Sequence, residues 1–343
     1  MTQGTRATVW AVGAALTVSM AASGCTLGKR GEEVDRFREA IPEADAVTLP
    51  GPESNAEASS SSSSANPGQR AQTTNDGGAT TSWAKYYGVT RELRDGVRNV
   101  TGAVLGAVWI IVHTEPSSVG HDEAIWGPWT DSLEPASWRF RIREVAEREY
   151  DYYLEGRPKS ATDDAEFRPV LSGKGWGKLH PKHGDGFFEI DLDVARELDP
   201  FKHQNDSGTV KITHDLPPTI TSNLFALPKL VSAEVRPTTS SAWYSISSQA
   251  NENRTGTLEF SALADVDDSA ATALEDVLIN SRWRADGAGR SDITLAGGDV
   301  PELLGTISAV ECWSSDFARV YYLDSVEYEA AFGDAAACAY GEP

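Results

Sequence analysis

The residues able to do chemistry fall into three local groups. His180-Pro181-Lys182-His183-Gly184-Asp185 holds the densest set of metal-ligating side chains. Two histidines at this spacing can share a metal on a helix, but Pro181 and Gly184 mark a loop, and Lys182 puts positive charge where a cation would sit. The stretch reads as a solvated turn. Asp265-Val266-Asp267-Asp268-Ser269, with Asp276 further on, echoes part of a calcium loop. Ala270 stands where that loop needs glycine for its sharp turn, and Asp276 where it needs glutamate. The same acids suit the N-terminus of a helix, predicted over Ser269 to Leu278. Gly173-Lys174-Gly175-Trp176-Gly177-Lys178 lacks the spacing of a phosphate-binding loop and has no Ser or Thr after its lysines. It too reads as a turn. No nucleophile elbow, HExxH helix or paired-cysteine zinc pattern occurs. The sequence therefore assigns no catalytic residue, no metal and no cofactor. A hydrolase assembled from distant His, Asp and Ser residues, with His183 or His214 as base, stays as the alternative.

The start of the chain carries a different kind of information. Ala7 to Met20 are uncharged and mostly apolar, preceded by Arg6 and followed by Ala22-Ser23-Gly24-Cys25. The run is too short to span a bilayer as a helix and has the length of a secretory h-region. Small residues at Ala22, Ser23 and Gly24 let a signal peptidase reach the backbone. This segment resembles the leader of bacterial lipoprotein precursors, whose lipobox ends in the cysteine that receives a diacylglyceryl group. The resemblance implies that residues 1–24 are a signal peptide and that Cys25 becomes an acylated N-terminus, palmitate being one of its chains. An ordinary signal peptide with a chance cysteine is the competing reading. Within the lipoprotein class, Thr26 in place of aspartate implies sorting to the outer membrane, or the outer face of the cytoplasmic membrane if the cell has only one.

Charge and cysteine content narrow the partners. The formal charge is -21, and loss of Arg6 with the leader makes it -22. Such a chain repels nucleic acid and anionic headgroups, so no nucleic-acid partner is expected and the acyl chains become the membrane contact. Besides Cys25 there are Cys312 and Cys338. In an exported protein an even pair reads as one disulfide. A catalytic cysteine or a metal pair is the alternative, but neither has a CxxC partner or a histidine nearby.

Residues 25–82 offer little to build a core: Ser59 to Ser64 is an unbroken serine run, followed by Asn66-Pro67-Gly68 and Asn75-Asp76-Gly77-Gly78. The segment is expected to be a flexible tether holding the domain clear of the membrane. Residues 83–343 then form the β-rich extracytoplasmic domain. Its first element is helical, because Leu93, Val97, Val100, Val104, Val108 and Ile111 recur at helical spacing. Gly96, Gly102 and Gly106 weaken that helix and would let it approach a sheet closely.

Downstream the period switches to two. Trp138 to Arg143 alternates apolar with arginine, and Glu149 to Leu154 alternates acid with apolar. Folding these about Ala146 pairs Arg143 with Glu149, Arg141 with Asp151, Ile142 with Tyr150 and Phe140 with Tyr152, which predicts a hairpin. Further strands are predicted over Phe167–Ser172, Phe187–Leu192, Val210–Thr213, Leu230–Arg236, Trp243–Ser247, Leu258–Ala262, Leu278–Arg284, Ile293–Leu295, Thr306–Glu311 and Val320–Leu323. Gly173-Lys174-Gly175 and Gly184-Asp185-Gly186 are read as turns, and Asp286-Gly287-Ala288-Gly289 as a hairpin turn. The expected fold is mainly β, an antiparallel sandwich or curved half-barrel with one or two flanking helices.

Trp126-Gly127-Pro128-Trp129 is placed in a loop, while Tyr86-Tyr87 and Tyr321-Tyr322 are adjacent pairs. Core packing is their ordinary role; on the concave side of a curved sheet they would face a lipid tail or a sugar. The runs Ser281–Asp292, Gly297-Gly298-Asp299 and Glu311–Phe317, with Tyr152, Leu154, Gly156, Arg157, Pro158 and Lys159, resemble envelope lipoproteins of Gram-negative bacteria that have no assigned activity. The expectation is a lipid-anchored envelope protein with a non-enzymatic binding or structural role toward a lipid, glycan or protein partner.

Overall fold

Short connections between strands of alternating character leave each strand no neighbour but the next, and the chain folds accordingly as a meander. The computed structural model describes residues 30–44, 46–47, 49, 83–176, 184–217, 229–238, 241–251, 254–266 and 273–341. Among the described residues fifteen strands form one antiparallel sheet in strict chain order. They are β1 (Ser118–Val119), β2 (Glu123–Trp129), β3 (Ala136–Ala146), β4 (Glu149–Pro158), β5 (Arg168–Trp176), β6 (Gly184–Asp191), β7 (Thr209–Leu216) and β8 (Lys229–Arg236). The sheet continues as β9 (Trp243–Ala250), β10 (Gly256–Ala264), β11 (Glu275–Trp283), β12 (Gly289–Gly297), β13 (Thr306–Trp313), β14 (Arg319–Asp324) and β15 (Phe332–Gly333). Among the described residues three α-helices accompany it: α1 (Arg30–Arg38), α2 (Lys85–Val112) and α3 (Leu192–Leu198). The fold is thus mainly β with flanking helices, and its strands belong to a single open sheet in place of the two layers of a sandwich.

Helix α2 shows that the sheet is bowed. Its first amides bind Glu311 on β13, while the Thr114 carbonyl just past its end accepts from Trp126 Nε1 on β2. Measured along the sheet, the eleven steps from β2 to β13 come to about 53 Å. The 28 residues of α2 span only about 42 Å. The sheet must curve around the helix for both contacts to hold. The inner face of α2 buries Leu93, Val97, Val104, Leu105, Val108 and Ile111 in one core with Phe140, Ile142, Tyr152, Leu154, Phe188 and Ile212. By length and composition α2 is the one helix among the described residues apolar enough to cross a membrane, yet it lies packed in this core.

Gly102 and Gly106 do not serve close packing. A Cβ at either would meet nothing within 4 Å. They carry only the backbone-entropy cost of glycine in a helix, so Gly102→Ala and Gly106→Ala are each expected to stabilise the protein by about 0.5–1 kcal/mol. Thermal unfolding checks this, and a loss of stability would mean that something does pack on that face.

The tether expectation needs correction at its start. Val34, Phe37, Ala40, Ile41, Val47 and Leu49 are buried in the main core, and Arg38 Nε donates to the Val112 carbonyl at 2.7 Å. Phe37 is fully buried. The apolar side chains stand singly among charges in RGEEVDRFR, which hid the helical spacing of Val34, Phe37 and Ile41. The serine run and the remainder of 51–82 lie outside the described residues.

The β3–β4 hairpin forms, with its register shifted by two from the expectation. Arg143 faces Asp151, Arg141 faces Tyr153, Ile142 faces Tyr152 and Phe140 faces Leu154. The turn is Glu147-Arg148, with Arg148 at φ 60°, and a bulge falls between Glu144 and Ala146. A shift of two leaves every side chain on its expected face. Several predicted turns are instead strand: Gly173-Lys174-Gly175 lies within β5 and Gly184-Asp185-Gly186 within β6. Gly173 is needed because a Cβ there would come 2.1 Å from the Tyr152 ring. Trp126-Gly127-Pro128-Trp129 belongs to β2, where Pro128 lacks an amide and the register to β3 shifts. The helix expected over Ser269 to Leu278 is overturned at Glu275–Leu278, which begin β11; Asp267, Asp268 and residues up to 272 lie outside the described set.

Candidate functional site

The motif Glu311-Cys312-Trp313-Ser314-Ser315-Asp316-Phe317 is a clamp on the start of α2. Glu311 is fully buried; Oε1 accepts from the Lys85 amide at 3.0 Å and Oε2 from the Tyr86 amide at 2.5 Å. These are orphan donors of a helix whose preceding residue, Ala84, supplies no cap, and the negative charge suits the positive end of the helix dipole. Arg319 Nε holds the carboxylate at 2.6 Å, and its NH1 reaches Glu329 at 2.9 Å. Tyr87 stacks on Phe317 with centroids 4.3 Å apart and sits 5.9 Å from Trp313, whose Nε1 donates to the Gly287 carbonyl at 2.9 Å. A turn further along, Thr90 Oγ1 meets Ser281 Oγ at 2.6 Å, which meets Ser291 Oγ at 2.7 Å. Burial, then the charge of Glu311, pushes the Tyr86 phenol upward.

Cys312 is bonded to Cys338, with Cα atoms 5.4 Å apart across 26 residues of sequence. Closing such a loop stabilises by about 3 kcal/mol in the chain-entropy account. The bond lays the C-terminus over three arginines: Arg282 donates to the Gly341 carbonyl at 3.0 Å, Arg290 to Tyr340 at 3.4 Å, and Arg284 to Ala339. The run from Ser281 to Asp292 and the Gly297-Gly298-Asp299 turn have similar structural jobs. Buried Glu275 accepts from the amides of Val266 and Asp299, and a Cβ on Gly298 would fall 2.0 Å from its Oε1. On the outer face of the sheet Glu155 accepts from Arg139 at 2.7 Å and from Arg141 at 3.1 Å, and Arg139 and Arg157 both lie over Phe167. Each buried acid in these clusters ties strands, turns or a helix together.

Other sequence candidates are placed apart. Cys25, His180 and His183 lie outside the described residues. His214 is buried on β7, where a Cβ on Gly186 would come within 3.1 Å of its Nε2. His203, which sequence reasoning passed over, is buried with Nδ1 2.8 Å from Asp206 in the loop after α3. Asp265 is at the end of β10, and Asp276 is on β11. Among the described residues no group of three or more His, Cys, Asp or Glu side chains could hold a metal. Comparison with family models, with curated proteins and with solved structures finds no match to this chain.

Topology supplies the argument, because an antiparallel meander sends alternate connections to opposite rims. One rim holds the β2–β3, β4–β5, β6–β7, β8–β9, β10–β11, β12–β13 and β14–β15 connections. Their described residues carry 14 acids against 3 bases. The same rim bears the barest large apolar side chains of the described residues: Leu133 (93% exposed), Phe201 (91%), Leu303 (97%) and Tyr328 (82%). Val266 and Leu304, about half exposed, lie there as well. Large apolar groups held out on loop tips are a mark of contact surfaces.

Asp324 shapes the loop that carries Tyr328. Its carboxylate accepts from the amides of Val326, Tyr328 and Glu329 at 2.9–3.0 Å and from the Tyr322 hydroxyl at 2.9 Å. Burial alone would raise its pKa, but these hydrogen bonds override it and hold the carboxyl at about 2. Because the folded value lies below the ordinary one, the contribution is complete above about pH 4 and is lost as pH falls toward 2. Wild type is therefore expected to lose stability over that window relative to Asp324→Asn, measured by urea unfolding at each pH. Parallel curves for the two proteins would contradict the assignment.

Proposed function

We propose that this chain is a lipid-anchored protein of the bacterial cell envelope, attached through acylated Cys25, with a non-enzymatic binding role toward a protein partner. The observation that carries the binding role is the rim on which Leu133, Phe201, Leu303 and Tyr328 stand exposed among acids. Apolar tips ringed by carboxylates complement a surface that is apolar at its centre and basic at its edge. The inner face of the sheet supports a protein partner over a lipid or a glycan, since α2 and its apolar contacts take up that face. The chemistry-bearing residues support the same reading: Glu311, Glu275, Glu155 and Asp324 spend their hydrogen bonds on holding the fold. Placement at the outer membrane follows from Thr26 in the lipoprotein resemblance.

A photo-crosslinking residue at Phe201, and separately at Leu303, tests this in cells making the full chain. The expected product is a discrete adduct with another polypeptide from each position. Adducts with lipid or glycan, or none from either position, would contradict it.

A further inference from the structure

We infer that the rim carrying the β3–β4 turn faces the bilayer, so that the acidic rim projects away from it; this rests on the acylation of Cys25 proposed above. The first observation is reach. Only residues 26–29 separate Cys25 from the first residue of α1, so these two Cα atoms lie within about 18 Å. Six residues into α1, about 9 Å along the helix, Arg36 NH1 bonds Glu144 Oε2 at 3.1 Å near the β3–β4 turn. Arg38 then fixes the end of α1 to the Val112 carbonyl of α2. The Cys25 Cα therefore lies within about 27 Å of the Arg36 Cα, whose side chain holds this corner of the sheet. With α1 docked, the serine-rich stretch 51–82 joins two segments of the domain and does not lengthen the link to the anchor. The tether expected from sequence, 58 residues long (25–82), would have had an end-to-end distance of about 40–45 Å and a far longer extended reach.

The second observation is charge. Among the described residues the connections at the β3–β4 rim, from β1–β2 through β13–β14, hold 4 acids and 3 bases. Among the described residues the opposite rim holds 14 acids and 3 bases. Within a Debye length of an anionic lipid surface, about 8–10 Å, the acidic rim is repelled and the neutral rim is not. Anchor position and charge thus select the same orientation. The length of β3, eleven residues, sets the two rims about 33 Å apart. The acidic rim with Phe201 and Leu303 is then presented to a partner beyond the membrane surface.

Two labelled proteins test the orientation. The full chain is made in an acylating bacterium as Glu147→Cys on the β3–β4 turn, or as Ser132→Cys beside Leu133. With Cys25 acylated and Cys312 bonded to Cys338, the introduced thiol is the one left for a fluorophore. Each protein is reconstituted in phosphatidylethanolamine–phosphatidylglycerol vesicles containing a headgroup-nitroxide lipid. The expected result is quenching several-fold stronger at position 147 than at position 132. Equal quenching, or stronger quenching at 132, with acylation confirmed by mass, overturns the orientation alone. A mature mass without acyl chains overturns the anchor and the orientation together.

Discussion

Replacing Glu311 by alanine is expected to destabilise the folded protein by about 3–5 kcal/mol, the cost of removing one partner from a buried ion pair. The effect is large because one carboxylate serves three groups. It caps two amides of α2 across a sequence separation of more than 220 residues, and it neutralises Arg319, itself mostly buried. Glu329 cannot take over the capping, because it already binds the far side of Arg319 and Lys85. Glu311→Gln keeps one acceptor oxygen and the shape, so it is expected to fall between wild type and alanine. Urea unfolding of both variants, with the disulfide intact, is the measurement. A loss below about 1 kcal/mol, the range of an exposed ion pair, would mean that α2 is held by its apolar face alone.

Phe37→Ala is expected to cost a similar amount, about 3–5 kcal/mol, as for other aromatic side chains removed from a packed interior. Phe37 is fully buried in α1, beside the Arg36 guanidinium, and joins the same core as Tyr150, Tyr152 and Ile142. The experiment separates two pictures of the N-terminal region. In a free tether the substitution would leave the unfolding midpoint unchanged. In the fold described above, α1 packs into the core beside β2 and β3, and the midpoint falls.

Much of the sheet was legible in the sequence because its strands obey period two and its hairpins are local. The β3–β4 pair shows how far that goes. Alternation fixed which face each residue takes, but the bulge between Glu144 and Ala146 and the left-handed Arg148 moved the pairing by two, and no local pattern announces them. Glycines misled in the other direction. Gly173 looks like a turn residue, whereas it is a strand position emptied to admit the Tyr152 ring from β4 beside it. Helix α2 was plain from its apolar spacing, while α1 was hidden because its buried residues are isolated among charges.

The candidate site was harder to see for a reason of topology. Leu133, Phe201, Leu303 and Tyr328 are spread over nearly 200 residues, and each alone is an unremarked loop residue. They become a surface only when the meander brings alternate connections to one rim. The acids behave in the same way: composition revealed the excess, but among the described residues the division of 14 acids and 3 bases from 4 and 3 needs strand order. The motif around Glu311 and Cys312, by contrast, was visible as a motif but not as a helix clamp, because the amides that Glu311 binds lie at Lys85 and Tyr86.

Everything proposed about location and orientation depends on one covalent event, and the mass of the mature chain reads it directly. The full precursor would be expressed in an acylating bacterium, extracted from membranes and measured intact, with Cys25→Ala as the control. The expected chain begins at Cys25, heavier than its polypeptide by a diacylglyceryl group or more and lighter by two hydrogens for the Cys312–Cys338 bond. A soluble chain with a free Cys25 thiol, or one cleaved elsewhere, would contradict it.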